Sequence, residues 1–345
     1  MECYNKRMNV LVILAFFALA ALVVFLSMKL GKYVDLLDKT TDVSGAFIGG
    51  VLLAAVTSLP EMFTSISAVL FLRENNLVAG NILGSNIFNL AVLGILVAVM
   101  FIGFSKAKIG KHHALTAVAC LVIYGLVALP VFIEKLPKLG FISIVSPFIF
   151  IIYILVMWKT PKVEEAEEKV ECELSPKQLV LRFVLAAVVL IGASIAITYT
   201  ADYIADLLDL GKTFAGALLL GLTTSLPELV SSVSLCRRGN FNAMFGNILG
   251  SCQFNFNILF FADLLSFRKG NTDVYPFFRN GAAGTQTWLL LVLGVGATVV
   301  TLALVLSKCF IKPERTRLKN TLAITCGSLT TAAYLLFLLL STILT

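Results

Sequence analysis

Glu61 and Glu228 stand in stretches that are otherwise almost free of charge, and each closes the same five-residue run. The runs are Thr57-Ser58-Leu59-Pro60-Glu61 and Thr224-Ser225-Leu226-Pro227-Glu228. A second run also occurs twice, as Gly80-Asn81-Ile82-Leu83-Gly84-Ser85 and Gly246-Asn247-Ile248-Leu249-Gly250-Ser251. The copies are offset by 167 and 166 residues and keep their order, which marks an internal duplication. Around the acids lie hydroxyls and amides. Thr57 and Glu61 are four apart and share a helix face, which Thr64 and Ser65 continue. Asn81, Ser85 and Asn89 follow at intervals of four, and the second copy offers Thr224, Ser231, Ser232, Asn247, Ser251 and Asn255. This is a set of oxygen donors without histidine, suited to hard cations such as Na⁺ and Ca²⁺. Cys252 is the exception, unpaired beside Gln253.

The elements that must position these groups are apolar. The chain has 345 residues, 59% hydrophobic and 14% charged, with mean hydropathy +0.94. Ten apolar segments can be marked at about 8–28, 44–72, 77–103, 114–133, 140–158, 178–200, 213–236, 241–265, 286–306 and 321–344. Most have the length a helix needs to cross a bilayer. The first could imitate a signal peptide, but its run to about Met28 is longer than an h-region, so it reads as membrane-spanning. The expected fold is therefore an all-α integral membrane protein of ten transmembrane helices. Residues 1–158 form a first five-helix repeat, 159–177 a linker, and 178–345 a second repeat. An odd number of crossings per half requires the halves to be inverted, with a site at their interface near the midplane.

Within segment 2, Pro60 removes a backbone donor and frees the Val56 carbonyl; Pro227 does the same for Thr223 in segment 7. Ser58-Leu59-Pro60-Glu61 also fits the S/T-x-x-E capping box. A helix broken in mid-membrane is expected, which is tolerated where the backbone lines a cavity. A carboxylate at such depth costs at least about 2.5–3.5 kcal/mol. Two of them facing each other add repulsion, which protons or cations must offset.

Lys and Arg divide unevenly between the two sides of this plan. The even-numbered loops with the N-terminus carry nine, and the odd-numbered loops carry eighteen of the 27. The positive-inside rule puts the odd loops and the 159–177 linker in the cytoplasm and both termini outside. The net charge of +7 needs no nucleic acid to explain it. Seven cysteines show no paired spacing, so neither a disulfide framework nor a zinc site is read. His112 and His113, adjacent in a basic loop, read as solvated, and the acidic run Val163 to Glu173 as a solvated helix or linker.

The two blocks 57–89 and 224–255 resemble the alpha repeats of the cation/calcium exchanger superfamily, which includes the sodium/calcium exchangers. That resemblance implies Glu61 and Glu228 as central Ca²⁺ ligands, joined by Thr57 and Thr224 through side-chain or backbone oxygens. It implies that Ser58, Ser85, Ser225 and Ser251 line flanking Na⁺ sites with backbone oxygens of Ala54 and Gly221, and that Asn89 and Asn255 sit at the middle. In the potassium-dependent branch the position of Asn255 is typically an aspartate, so asparagine here implies exchange without K⁺. The second block departs from the first, with Cys252 and Gln253 where Asn86 and Ile87 stand.

The reading is an antiporter in the cell membrane that exchanges Na⁺ for Ca²⁺ by alternating access. Its partners are those ions and the lipid bilayer, with no cofactor, and no oligomer is implied. H⁺/Ca²⁺ exchange and a cation channel are the alternatives. No cofactor motif or nucleophile–base pair points to an enzyme.

Overall fold

In the computed structural model, residues 2–40, 56–133, 137–139, 142–159, 175–266, 281–310 and 316–344 are described. Helix α1 spans Glu2–Thr40, α2 Leu59–Leu72, α3 Asn75–Val99, α4 Phe101–Lys106 and α5 His112–Phe132. A small antiparallel hairpin follows, β1 (Lys138–Leu139) and β2 (Ile142–Ser143), then α6 Val145–Lys159. Next come α7 Pro176–Leu207, α8 Lys212–Thr224, α9 Leu226–Arg237, α10 Phe241–Ser266, α11 Gly281–Phe310 and α12 Thr316–Leu344.

Among the described residues seven helices are long and apolar enough to cross a membrane, and α8 with α9 makes an eighth span if the bent pair is one. Two shorter apolar helices, α2 and α6, complete the set. With such a surface of exposed Leu, Val, Ile and Phe, the chain is a multi-pass integral membrane protein. The two helices that carry the Gly-Asn-Ile-Leu-Gly-Ser runs lie at the centre. The apolar window of α3 is 78% buried and that of α10 72%, against 22% for α1 and for α7. The peripheral α1 and α7 lie along each other, and α3 packs against α8, α10, α11 and α12.

Small residues allow α3 to approach α8. A Cβ on Gly84 would lie 2.5 Å from the Ala217 Cα, and one on Gly80 would collide with the Thr213 carbonyl. In a bilayer, where lipid is as apolar as leucine, such close backbone contact is what holds helices together.

The helix ends sort into two sets. At one end the Gly110 N–H donates to Asn242 Oδ1 (2.8 Å), and Lys308 Nζ donates to the carbonyls of Phe104 (2.7 Å) and Ser105 (3.0 Å). At the other end the Tyr203 hydroxyl donates to Asn9 Oδ1 (2.8 Å), Lys212 Nζ meets Asp202 (2.5 Å) and Asp206 (2.7 Å), and the Phe214 N–H donates to Gln286 Oε1 (3.2 Å). Connections three, seven and nine thus share one end, as alternate crossings require.

Two expectations change. Segment 5 does not begin as a helix near residue 140. Strands β1 and β2 occupy 138–139 and 142–143, the Asp263 carboxylate on α10 accepts the Ser143 N–H (2.8 Å) and the Ser146 hydroxyl (2.5 Å), and α6 starts only at Val145. His113 is buried rather than solvated. Its ring lies 6.0 Å from that of Phe245 at a tilt of 44°, and Nε2 pairs with Asn242 Oδ1 at 3.0 Å. Segment 7 is broken as expected: α8 ends at Thr224, α9 starts at Leu226, and the two are bent by 43°. The matching part of segment 2, residues 41–55 with Ala54, lies outside the described residues, as does the acidic run 163–173.

Candidate cation site

Each Thr-Ser-Leu-Pro-Glu run makes the same local structure. Ser58 has φ −93° and ψ 10°, and Ser225 has φ −88° and ψ 1°, so the chain turns at the serine and a new helix starts. Proline is tolerated in the first turn, where a backbone N–H would have no helical partner. The capping box expected of Ser58 and Glu61 does not form. Neither serine caps its own helix. A cap hydroxyl bonds the second or third N–H of its helix, and the second residue here is proline.

The serine hydroxyls instead cross between the halves. Ser58 Oγ donates to Glu228 Oε1 at 3.0 Å, and Ser225 Oγ donates to Glu61 Oε1 at 3.0 Å. The two bonds match under the 167-residue offset. A hydroxyl bond to an ionised carboxylate is roughly twice as strong as a neutral one, which explains why the cross-bond wins over the cap. Ser251 Oγ adds a longer bond to Glu228 Oε1 at 3.3 Å. Both glutamates are fully buried.

The second oxygen of each carboxylate is used differently. Glu61 Oε2 and Glu228 Oε2 are buried and have no hydrogen-bond partner among the described residues. So are both amide atoms of Asn89 and the Asn255 Oδ1. Leaving a buried polar atom unpaired costs about 1–3 kcal/mol, more for a charge. Several such oxygens in one core fit a site that meets a cation.

Other sequence candidates fall around these oxygens. Ser85 Oγ donates to the Gly221 carbonyl at 3.2 Å, joining the halves across 136 residues. The Thr224 hydroxyl spends its proton on the Leu220 carbonyl (2.9 Å), so it offers only lone pairs. The Thr57 carbonyl accepts from Ser27 of α1 at 3.4 Å. Ser58, Glu61, Ser225, Glu228 and Ser251 are thereby brought into one connected cluster, with Ser85 and Gly221 as a second pair. Ala54 lies outside the described residues.

Six polar residues that the spacing grouped with the ligands do something else. Asn81 Nδ2 lies 2.8 Å from Ser65 Oγ, 3.0 Å from Thr64 Oγ1 and 3.2 Å from the Glu61 carbonyl. Asn247 Nδ2 repeats this with Ser232 Oγ (3.0 Å), Ser231 Oγ (3.0 Å) and the Glu228 carbonyl (3.4 Å). The two amide hydrogens are shared among three acceptors. These groups brace α2 to α3 and α9 to α10, and so set where each glutamate stands.

One participant was missed by the sequence reading. Asn255 Nδ2 donates to Asn86 Oδ1 at 3.0 Å. Under the repeat, Cys252 is the counterpart of Asn86, and a thiol is a weak acceptor. Its sulfur makes a long contact with the Asn86 carbonyl, 3.8 Å. The Asn86–Cys252 difference between the halves was the signal. It holds the Asn255 amide and leaves that of Asn89 without a protein partner among the described residues.

Three comparisons bear on this arrangement. A membrane protein of Methanocaldococcus jannaschii is 29% identical over 214 residues, covering 61% of this chain and 67% of that protein. The fold is similar to that of a solved H⁺/Ca²⁺ exchanger, CAX, with TM-score 0.62 and 13% identity over 96% of this chain and 90% of that one. It is also similar to the sodium-calcium exchanger NCX_Mj, with TM-score 0.54 and 20% identity over 95% of this chain and 97% of that one. The family model described as sodium/calcium exchanger protein matches residues 11–159 and 178–343. With that match running through both copies of the repeat, this chain belongs to the sodium/calcium exchanger protein family.

Proposed function

We propose that the protein exchanges Na⁺ for Ca²⁺ across the cell membrane by alternating access. Ten helices would form two inverted five-helix repeats, 1–158 and 178–345, joined by the 159–177 linker. The observation that carries this reading is the crossed pair of serine–glutamate bonds, with one oxygen of each buried carboxylate left without a hydrogen-bond partner among the described residues. Glu61 Oε2 and Glu228 Oε2 would ligate Ca²⁺, a cation that takes several oxygens and favours anionic ones. Thr57, Thr224, Asn89 and Asn255 would contribute neutral oxygens. Ser58, Ser85, Ser225, Ser251 and the carbonyls of Ala54 and Gly221 would hold Na⁺.

Charge explains why exchange would be obligatory. Emptied, the site holds two negative charges away from water, and exposing them to a dry, occluded state is costly. Ca²⁺ or two Na⁺ neutralise them and permit the switch. Ions that share the same carboxylates do not ride together.

The test is ⁴⁵Ca²⁺ uptake into proteoliposomes under imposed Na⁺, H⁺ and K⁺ gradients. An outward Na⁺ gradient should drive uptake with K⁺ replaced throughout by choline, because Asn255 supplies no charge for a second cation. Uptake driven by a pH gradient without Na⁺ would assign protons to Glu61 and Glu228 instead. Uptake lost without K⁺ and restored by it would show that Asn255 has been misread. Uptake needing no counter-ion would mean a channel.

The bias of Lys and Arg to odd-numbered connections supports a cytoplasmic position for the end that carries Lys108. In a cysteine-free background, Lys108→Cys should then be labelled from the cytoplasm and Asp209→Cys from outside. The reverse pattern would invert the orientation, and labelling of both from one side would rule out the alternation of crossings.

A further inference from the structure

Cys252 stands in the second repeat where the first has Asn86, and the cation site makes no use of its thiol. The helix it faces supplies a second one. Helices α5 and α10 start at the same end, where the Gly110 N–H meets Asn242, and they run in parallel. His113 lies beside Phe245, and further along the Tyr124 ring meets that of Phe256 edge to face at 4.7 Å between centroids. Each of these pairs is 132 residues apart in the chain, and so are Cys120 and Cys252. Along α5, His113, Cys120 and Tyr124 are spaced by seven and then four, and Phe245, Cys252 and Phe256 repeat that spacing along α10. Residues so spaced share a helix face. The two cysteines are therefore level and face each other between two ring contacts. They are 1% and 3% exposed, both are free, and each thiol is an electrostatic neighbour of the other.

A third donor stands next to them. Asn89 lies beside the Cys252 thiol and is fully buried, and neither of its amide atoms has a hydrogen-bond partner among the described residues. A thiol in a packed apolar core is inert. This pair instead adjoins a residue of the proposed cation site. Two sulfurs and an amide oxygen differ in character from the carboxylates and hydroxyls around Glu61 and Glu228. Thiolates select soft metals, whereas carboxylate and carbonyl oxygens suit Ca²⁺. A soft divalent cation close to Ca²⁺ in ionic size can enter by the Ca²⁺ route and stop at the sulfurs. Binding would release both thiol protons to water, and the two thiolates would then balance the charge of the ion.

We propose that Cys120 and Cys252, with the Asn89 Oδ1, form a site for a soft divalent metal cation, of which Cd²⁺ is the probe. Occupied, it takes Asn89 from the Ca²⁺ ligands and ties α5 to α10, so that exchange stops. The entry route and the use of Asn89 rest on the exchange reading above; the thiol pair does not.

The experiment uses the full-length chain with Cys3, Cys172, Cys236, Cys309 and Cys326 replaced by serine, solubilised and titrated with Cd²⁺ in an excess of Ca²⁺. A single Cd²⁺ should bind and give the ultraviolet thiolate-to-cadmium charge-transfer band, which oxygen ligands do not give. Cys120→Ser and Cys252→Asn, the second restoring the residue of the first repeat, should each weaken binding at least about tenfold and diminish the band. Glu61→Gln should leave both unchanged. Melting temperatures check folding, and Cys120→Ala and Cys252→Ser replace a variant that does not fold. Cd²⁺ displaced by Ca²⁺ with no band, or a band that survives both cysteine substitutions, would overturn the proposal. In proteoliposomes Cd²⁺ should block ⁴⁵Ca²⁺ uptake, at least about tenfold less potently in Cys120→Ser. Equal potency in that variant would overturn the block. Absence of Na⁺-driven uptake before any Cd²⁺ is added would count against the exchange reading alone, because the band reports on the thiols directly.

Discussion

Glu61→Gln is expected to abolish calcium exchange while leaving the protein folded, and Glu228→Gln to do the same. Glutamine preserves the volume and keeps an Oε1 that can accept from Ser225, so the crossed bond at 3.0 Å survives. The change falls on the other atom. Oε2, which has no partner among the described residues, becomes an NH₂ that repels a cation. One formal charge remains against two on Ca²⁺, and the excess charge would have to be buried. Removing one member of a buried charge pair costs about 2–5 kcal/mol, a loss of thirtyfold to several thousandfold. The measurement is ⁴⁵Ca²⁺ uptake in proteoliposomes beside the melting temperature of the solubilised variants. Uptake near wild type in both would remove the carboxylates from the site. Uptake lost together with the melting transition would mean that they serve folding. Loss in only one variant would show that the two halves have unequal roles despite their matched bonds.

Asn81→Leu should fail in a different way, losing stability and transport together. The amide it removes is the donor to Ser65 Oγ, Thr64 Oγ1 and the Glu61 carbonyl in a fully buried setting. Thr64 still has the Pro60 carbonyl at 2.8 Å for its proton. The Ser65 hydroxyl loses the donor, at about 1–3 kcal/mol, while the Glu61 carbonyl keeps the Thr64 hydroxyl at 3.1 Å. The brace between α2 and α3 goes with it, and Glu61 loses its fixed position. Asn247→Leu should behave alike through Ser231, Ser232 and the Glu228 carbonyl. Asn89→Leu is the comparison. Its amide has no protein partner among the described residues, so transport should fall with little change in melting temperature. An Asn89 variant as unstable as the Asn81 variant would mean that both amides serve folding, and Asn89 would leave the cation site.

What the linear chain determined follows from local chemistry. A run of about twenty apolar residues has few alternatives to a membrane helix, because every backbone group must be satisfied internally. The duplicated Thr-Ser-Leu-Pro-Glu and Gly-Asn-Ile-Leu-Gly-Ser runs named both acids and most of their polar neighbours, since identical residues at matched positions make identical local structure. Proline in each first run located the turns at Ser58 and Ser225.

Only the tertiary structure decided which polar group meets which. Ser58 and Glu61 are three apart and satisfy a local capping pattern, yet Ser58 bonds Glu228, 170 residues away. A charged acceptor from the other half outcompetes a cap in which the second helical residue has no N–H. Residues four apart on one helix face looked equivalent, but Asn81 braces a neighbouring helix while Ser85 reaches Gly221. A shared face says which side a residue is on and not how far the neighbouring backbone stands from it. That distance depends on glycines such as Gly80 and Gly84 meeting α8 directly, a contact between residues more than a hundred positions apart. The fates of Asn255 and Asn89 likewise depend on whether the residue brought opposite is an amide or a thiol, and bringing it there is the work of the packed core.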